Sequence, residues 1–553
     1  MGIRLLHLHL HGLFRSHELE LGRDADTGGQ TLYVLELARS LAQRAEVEQV
    51  DVVTRLIQDR RFDLDYSKRE EVICPGARIL RFPFGPKRYL RKELLWPHLE
   101  ELADQLVEHL SQPGQRVDWI HAHYADAGLV GALVSQRLGI PLVFTGHSLG
   151  REKQRRLLAG GLDRSQIEQT YAISRRIDAE ERALAQADLV ITSTRQEADQ
   201  QYSRYGHFQA AQAEVVPPGV DATRFHPHGS SQECSAVESL LQPFLREPDR
   251  APLLAISRAV RRKNIPALVE AYGQSPVLRQ RHNLVLVLGC RDDPRQLEKQ
   301  QRDVLQQVFD LVDRFDLYGQ VAYPKQHSRA QIPALYRWAA RRGGLFVNPA
   351  LTEPFGLTLL EAAACGLPMV ATDDGGPRDI QHRCDNGLLA DVTDPGALQE
   401  ALELAGSDAP CWRRWSDNGV EAISRHFSWD AHVCQYLALM QQRIRSTPVR
   451  ALSVVRRPSP VSRLLALDLD SSLDLPEQRS LVHLRDRLEA EPFAATTGLV
   501  ILTGRSLDQA RQRYQELHLP DPKAWICRAG TEIHHTSDRA EDPVWAERIS
   551  QAW

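Results

Sequence analysis

What this sequence lacks bounds what it can be. Its eight cysteines are scattered with no CxxC pair, which excludes a dense disulfide framework, gives no zinc-type spacing and makes a reducing cytoplasm the expected compartment. No apolar run approaches the roughly 20 residues that a membrane-spanning helix needs. A soluble chain is therefore expected. The opening MGIRLLHLHLHGL reads as a strand and not a signal peptide, because His7, His9 and His11 interrupt it and no small-residue cleavage site follows. Neither sign of charge dominates: 68 Lys and Arg stand against 72 Asp and Glu, a net −4, so no global field draws in nucleic acid or an anionic membrane. Any basic function must be local. There is no GxGxxG, which disfavours a dinucleotide site and with it a dehydrogenase, and there is no solenoid repeat or low-complexity tract.

What is present is an alternation of strands and helices along 553 residues. The pattern predicts a strand over 3–10, a helix Thr31–Arg44, strands near 49–54 and 78–82, and a helix Glu93–Leu110. A strand at 119–122, a helix Ala127–Leu138, a strand at 141–145, a helical hairpin Arg151–Ala187 and a strand at 188–192 follow. Strands alternating with helices argue for a parallel, doubly wound α/β sheet. The turn-rich VVPPGVDATRFHPHGSS marks a hinge; a second alternating series begins at Pro252 and ends in a helix from Trp429 to about Ile444. The expected domains are 1–215 and 216–445, both Rossmann-like and facing each other across a cleft, then a polar linker 446–463 and a partial α/β segment 464–553. Ligands belong at the carboxyl ends of such sheets.

The most informative stretch is VNPALTEPFGLTLLEAAACGLPMVAT, from Val347 to Thr372. It reads as the end of a strand, a loop through Glu353, Pro354, Phe355 and Gly356, a helix to Ala364, a stop at Gly366 and a strand from Met369. The backbone N–H groups of Phe355, Gly356 and Leu357 then lie at a helix N-terminus, where the macrodipole favours an anion or sugar oxygens. Glu353 sits just outside that terminus and Glu361 about two turns in; one carboxylate accepts two hydroxyls at once, as a sugar diol requires. After the first strand of the second series, AISRAVRRKN carries Arg258, suited to bidentate phosphate contact, and Lys263, suited to point-charge contact. In the first series, a glycine-rich turn, LGRDADTGGQ, precedes a helix, and FGPKRYLRKELLWP, HAHYADAG, GHSLGREK and AISRRIDAEE place polar and cationic groups at strand ends and helix starts. Their sum predicts a local positive pocket, hence a substrate with its own phosphate.

Two glutamates flanking PFGLTLL, followed by GLP, resemble the nucleotide-sugar signature of the retaining family 4 glycosyltransferases, which have the GT-B fold of two facing Rossmann-like domains. The first-domain strings extend the resemblance over nearly all of residues 1–445, to the branch of that family that makes sucrose 6-phosphate. The resemblance implies transfer of glucose from UDP-glucose, or ADP-glucose, to fructose 6-phosphate with retention, and it assigns residues. His147, Arg258, Lys263 and Glu353 would be catalytic; Gly29, Arg258, Lys263, Phe355, Gly356, Leu357 and Glu361 would bind the donor. Gly28, Gln30, Lys92, Tyr124, Ser148, Lys153, Arg175 and Arg176 would grip the acceptor and its phosphate. A salt bridge to Glu180 is the alternative for Arg175 and Arg176, and a satisfied interior imidazole for His147.

The chemistry so implied is front-face displacement: the diphosphate leaves, the acceptor hydroxyl attacks on the same face, and the departing phosphate oxygen takes its proton. Positioning and preorganised charge supply the acceleration. The acidic pairs Asp24/Asp26 and Asp63/Asp65 lack the setting of a metal-bound diphosphate, so transfer without a metal or other cofactor is expected. LALDLDSS and LTGRS resemble the first two motifs of haloacid-dehalogenase-type phosphatases of the sucrose-phosphatase kind, with Asp468 as nucleophile, Asp470 as acid/base and Thr503 as a phosphate contact. Ser471 and Ser472 depart from the usual DxDxT spelling, and the later lysine and acidic motif do not occur before Trp553, so 464–553 is expected to be inactive, and association with a separate sucrose-phosphate phosphatase follows as a partner expectation. Within the same fold, an enzyme using an unphosphorylated acceptor, such as a sucrose synthase, or an inactive nucleotide-sugar-binding regulator are the other readings.

Overall fold

The computed structural model describes residues 2–446 except 21, 22, 25 and 329, together with 463–470, 485–487, 497–515, 520 and 522–535. It divides into two compact units, 1–452 and 453–553. The greater part of the expected linker, 447–462, and Ser471, Ser472 and Trp553 lie outside the described residues.

The first lobe is built on eight strands: β1 (Ile3–Leu8), β2 (Val47–Arg55), β3 (Glu70–Cys74), β4 (Ala77–Phe82), β5 (Trp119–His123), β6 (Leu142–Thr145), β7 (Leu189–Thr192) and β8 (Ala213–Val215). Their order is β3-β4-β2-β1-β5-β6-β7-β8, parallel except for β3, which runs antiparallel along β4. The central strands are buried on both faces, as helix-covered parallel sheets must be. Strand β3, EEVIC, was not legible in the sequence because it is short and half-exposed; its glutamates mark it as a protected edge.

Two helices differ from the sequence reading. The helix expected from Glu93 starts at Leu99, after two single 3₁₀ turns, because Pro97 has no N–H to give to a helical ladder. From Leu99 it buries Leu99, Leu102, Ala103, Leu106 and Leu110 on one stripe. The expected hairpin over 151–187 is three helices, Gly150–Ala159, Arg164–Tyr171 and Ile173–Gln186; the last two are divided by Ala172 in the left-handed region at φ 45°.

The second lobe carries six parallel strands: β9 (Ala251–Ile256), β10 (His282–Val287), β11 (Val321–Ala322), β12 (Leu345–Asn348), β13 (Met369–Thr372) and β14 (Gly387–Ala390), in the order β11-β10-β9-β12-β13-β14. The final helix, Trp429–Ser446, follows the second lobe in sequence but packs on the first. Its Val433, Tyr436, Leu437 and Met440 share a core with Leu5, Tyr33, Val34, Leu37 and Leu41.

Both sheets reverse direction at one place. The chain walks outward from β1 and returns to its other side at β5; it walks outward from β9 and returns at β12. A crevice opens beyond the strand ends at such a switch point. The residues after β1, β5, β9 and β12 are therefore the ones placed to meet a ligand.

The second unit forms a separate sheet, β15 (Arg463–Asp468), β16 (Thr497–Leu502), β17 (Ala524–Cys527) and β18 (Glu532–His535), with the first three parallel and β18 antiparallel. Leu499, Ile501, Ala510, Tyr514 and Trp525 form its core.

Candidate active site

At the switch point of the second lobe, Lys263 from the loop after β9 pairs its Nζ with Oε2 of Glu353 from the loop after β12. Asn348, the last residue of β12, donates Nδ2–H to the same oxygen at 3.1 Å. Glu353 is also fixed through its backbone: its N–H donates to Asp374 O at 3.1 Å, and Gly376 N–H donates to its carbonyl at 2.9 Å. Gly375, at φ 105°, makes this possible, since a Cβ there would lie 2.1 Å from Glu353 O. The helix Leu357–Ala364 begins as expected, with Gly356 as N-cap at φ 103°, so Phe355, Gly356 and Leu357 stand at its N-terminus. Glu361 accepts the Tyr336 hydroxyl at 3.2 Å. Arg258 follows β9 directly and is exposed.

The first-lobe cations gather from separate elements. Lys92 pairs with Asp26 through its Nζ and also donates its backbone N–H to that carboxylate at 3.0 Å. Lys153 lies 3.8 Å from the Tyr171 ring centroid; burial, then Arg176 and Lys92, push its ammonium down to about 8. Arg176 is buried, donates Nε–H to Glu180 at 3.0 Å, bonds Ser148 O, and stacks 4.4 Å from the Tyr124 ring. The Glu180 bridge is thus true of Arg176, which also reaches Ser148 and Tyr124. Arg175, its neighbour, is exposed and shares no hydrogen bond or ion pair with this group among the described residues. Tyr124 itself sits at φ 81°, a strained non-glycine conformation at the start of the helix Ala125–Leu138, of the kind that concentrates at functional sites.

Gly28 caps the helix Gly29–Ala42, and a Cβ at either Gly28 or Gly29 would meet only open space. Gln30 turns inward, with Nε2 3.0 Å from His9 Nδ1 and 3.3 Å from His123 O. His147, at φ 55° beyond β6, bonds His123 through its Nε2 at 3.0 Å. The sequence reading missed how many histidines stand behind it. His7, His121 and His123 are fully buried side by side, although the alternations HLHLH and HAH put them on one strand face each. Burial pushes His7 and His147 down to about 3 and lowers His9, His121 and His123 as well. The charged groups on this side are therefore Lys92, paired with Asp26, Arg176, paired with Glu180, and Lys153, with the histidines His7, His9, His121, His123 and His147 neutral. Three ring nitrogens lie within reach of a shared ion, yet His7 and His123 already share a proton at 3.0 Å, and His121 bonds Thr145 and Tyr436. A metal would have to displace those bonds.

The lobes meet beside these groups. Gln196 of the first lobe donates to Asp374 of the second at 3.0 Å, and the Arg195 N–H donates to Asp379 at 2.9 Å. One crevice of about 150 Å³ is lined by Glu152 and Arg156, adjoining Lys153, and by Thr352 and Pro354, which flank Glu353. Glu197 on its wall is pushed up to about 7 by burial. In the separate second unit, Asp470 accepts from Thr503 Oγ1 at 2.9 Å, Gly504 N at 2.6 Å and Arg505 Nε at 2.8 Å, and the Gly504 bond leads in holding it ionised below the usual range. Asp468 Oδ1 accepts the Asp470 N–H at 2.9 Å.

Two Rossmann-like lobes that meet within one compact unit define the GT-B glycosyltransferase fold. Residues 27–224 match Glycosyltransferase Family 4, 238–422 match Glycosyl transferases group 1, and 461–553 match Sucrose-6F-phosphate phosphohydrolase. In particular, the chain is similar to the sucrose-phosphate synthases: it is 39% identical to sucrose-phosphate synthase 4 of Arabidopsis thaliana over 83% of this chain and 50% of that protein. The sucrose-phosphate synthase of Zea mays is 38% identical over 87% of this chain and 52% of its own length. The chain thus spans about half the length of the curated relatives it matches. Among solved structures, the sucrose-phosphate synthase of Thermosynechococcus elongatus is similar with a TM-score of 0.59 and 26% identity, over 80% of this chain and all of that one. The Anabaena HepE protein, solved with UDP and glucose, shares the fold at a TM-score of 0.54 and 18% identity, over 80% of this chain and 100% of its own. Among the described residues, no helix is long and apolar enough to cross a membrane.

Proposed function

We propose that the chain transfers glucose from UDP-glucose to fructose 6-phosphate, with retention, giving sucrose 6-phosphate and UDP. One observation carries this reading: a Lys–Glu pair at the switch point of the second lobe, and three cations, Lys92, Lys153 and Arg176, drawn together from separate elements of the first. Lys92, Lys153 and Arg176 would have no purpose toward a neutral ketose, which favours the phosphorylated acceptor over an unphosphorylated one. The intact Lys263–Glu353 pair speaks against an inactive regulator. Relatives named as sucrose-phosphate synthases support the same substrates.

In this mechanism, Lys263 and Arg258 neutralise the diphosphate as it leaves, aided by the N–H groups at the start of the helix Leu357–Ala364. Binding draws Lys263 from Glu353 toward phosphate and leaves the carboxylate free to accept sugar hydroxyls. Lys92, Lys153 and Arg176 anchor the acceptor's phosphate and so aim its hydroxyl; Gly28 and Gly29 leave room for both sugars. Asp468, Asp470 and Thr503 retain the phosphatase likeness, and a phosphatase acting on the product is the partner this suggests. The deciding experiment supplies purified protein with UDP-glucose or ADP-glucose, each with fructose or fructose 6-phosphate, and identifies products by mass. Sucrose phosphate from fructose 6-phosphate is the expected product. Sucrose from free fructose at equal rate would overturn the reading.

A further inference from the structure

The buried histidines form a directed hydrogen-bond chain that ends at half-buried His147. His7 Nδ1 meets His123 Nε2 at 3.0 Å, and His123 Nδ1 meets His147 Nε2 at 3.0 Å. Each ring is neutral, with one N–H, so the two bonds must point the same way. Either His7 donates to His123 and His123 to His147, or both run in reverse. The far end decides. His7 Nε2 is buried with no partner among the described residues. In the first direction it is a bare acceptor; in the second it is an unpaired N–H, the costlier orphan and the rarer one in folded proteins. The first direction therefore wins, and it leaves His147 with its proton on Nδ1, the nitrogen not engaged by His123.

We infer that His7 and His123 are positioning residues that hold His147 as the Nδ1–H tautomer, so that it presents a hydrogen-bond donor to a hydroxyl or phosphate oxygen of a bound ligand. The chain is braced on every side. His121 bonds Thr145 Oγ1 at 2.9 Å and Tyr436 Oη at 3.1 Å, and the His121 and His123 rings lie 3.9 Å apart. Tyr33 packs against both His123 and His147 and bonds His432 of the final helix at 3.2 Å. The helix that follows the second lobe thus helps to fix the ring orientation of a donor in the first. His147 itself sits at φ 55° in a turn after β6, a conformation that a non-glycine residue adopts only when its surroundings enforce it.

This inference rests on the proposed transferase reading for its activity arm, but its first measurement does not. Histidine-labelled full-length protein, examined by ¹⁵N NMR with His147 assigned by substitution, should show a protonated Nδ1 and a bare Nε2 at His147. The opposite tautomer overturns the inference whatever the protein catalyses. His123→Phe keeps the stacking but removes the donor; His147 should lose its fixed tautomer, and kcat should fall about 10- to 100-fold, the range for losing a histidine's orienting partner, with the KM for fructose 6-phosphate little changed. His7→Leu should act in the same direction but less. His7→Asn places an amide N–H where Nδ1–H stood and should restore both readouts toward wild type. Loss of activity that tracks thermal unfolding while the His147 tautomer stays fixed, or His7→Asn impaired as much as His7→Leu, would overturn the positioning role. A wild-type protein with the Nδ1–H tautomer but no transfer would instead fault the substrate reading.

Discussion

The two switch points are geometric equivalents with opposite electrostatics. In the second lobe, a lysine and a glutamate from the loops after β9 and β12 face each other at the strand ends themselves. In the first, the corresponding strand ends carry buried imidazoles, with His11 bonded to Asp126 at 2.8 Å, and the cations stand further out on the Lys92 turn, the helix Gly150–Ala159 and the helix Ile173–Gln186. The difference follows from what each place must do. Charge that develops during bond breaking is best met by a group fixed at the reacting centre, whereas a phosphate that never reacts can be held at arm's length. On the proposed reading, neutral histidines orient a substrate without adding a field that would compete for the diphosphate.

The largest effect should come from breaking the charged side. Lys263→Ala removes the partner of Glu353, the cation proposed to meet the leaving group, and leaves Glu353 with Asn348 alone. A fall in kcat of about 10²- to 10³-fold is expected, the range for one preorganised donor at a developing charge. Steady-state assays at saturating fructose 6-phosphate would measure it. A loss confined to the KM for UDP-glucose would mean that the pair binds ground state and transition state alike.

Breaking the outer ring should leave the chemistry and cost the acceptor. Lys153→Ala is expected to raise the KM for fructose 6-phosphate about 10- to 100-fold, from the 1.5–3 kcal/mol of a hydrogen bond to a charged group. The KM for UDP-glucose should barely move. An equal rise in both would erase the division of labour between the lobes.

Much of the local structure behind this division is legible in the sequence alone. Val347–Thr372 declares its own strand, cap and helix, because Pro354, Gly356, Gly366 and Pro368 each act locally. Lys263 and Glu353 were both nameable, but not their pairing, which joins residues 90 positions apart. The histidines show the opposite failure. Their spacing was visible, yet interrupted hydrophobicity reads as polarity, and only burial by Tyr33, His432 and Tyr436 makes them neutral. Arg175 and Arg176 were inseparable in sequence; the helix phase, one residue apart, buries one and exposes the other. The final helix could not be assigned to the first lobe, since no local signal says which sheet a chain will return to.

The smallest effect is a matter of pH, and it isolates Lys153. Its ammonium faces Arg176 and Lys92, which depress it, and Glu93 and Asp26, which oppose them, over the Tyr171 ring; burial leads, and the net position is about 8. The second pKa of a phosphate monoester is near 6, so the acceptor is already a dianion above neutrality and adds no alkaline slope of its own. Only the charged lysine attracts it. As pH rises through 8, free enzyme loses that proton, and the KM for fructose 6-phosphate should climb at up to about tenfold per unit, each unit being about 1.4 kcal/mol, and level off no higher than the Lys153→Ala value, where Lys92 and Arg176 still hold the phosphate. Glu197, near 7, titrates on the acid side and can shape only the other limb. The control is Lys153→Arg, which stays protonated throughout: its profile should be flat between pH 7.5 and pH 9.5 (roughly the window on either side of a pKa near 8), even if its KM is higher. An alkaline rise of the same size in that variant would assign the titration to another group and detach Lys153 from the acceptor's phosphate.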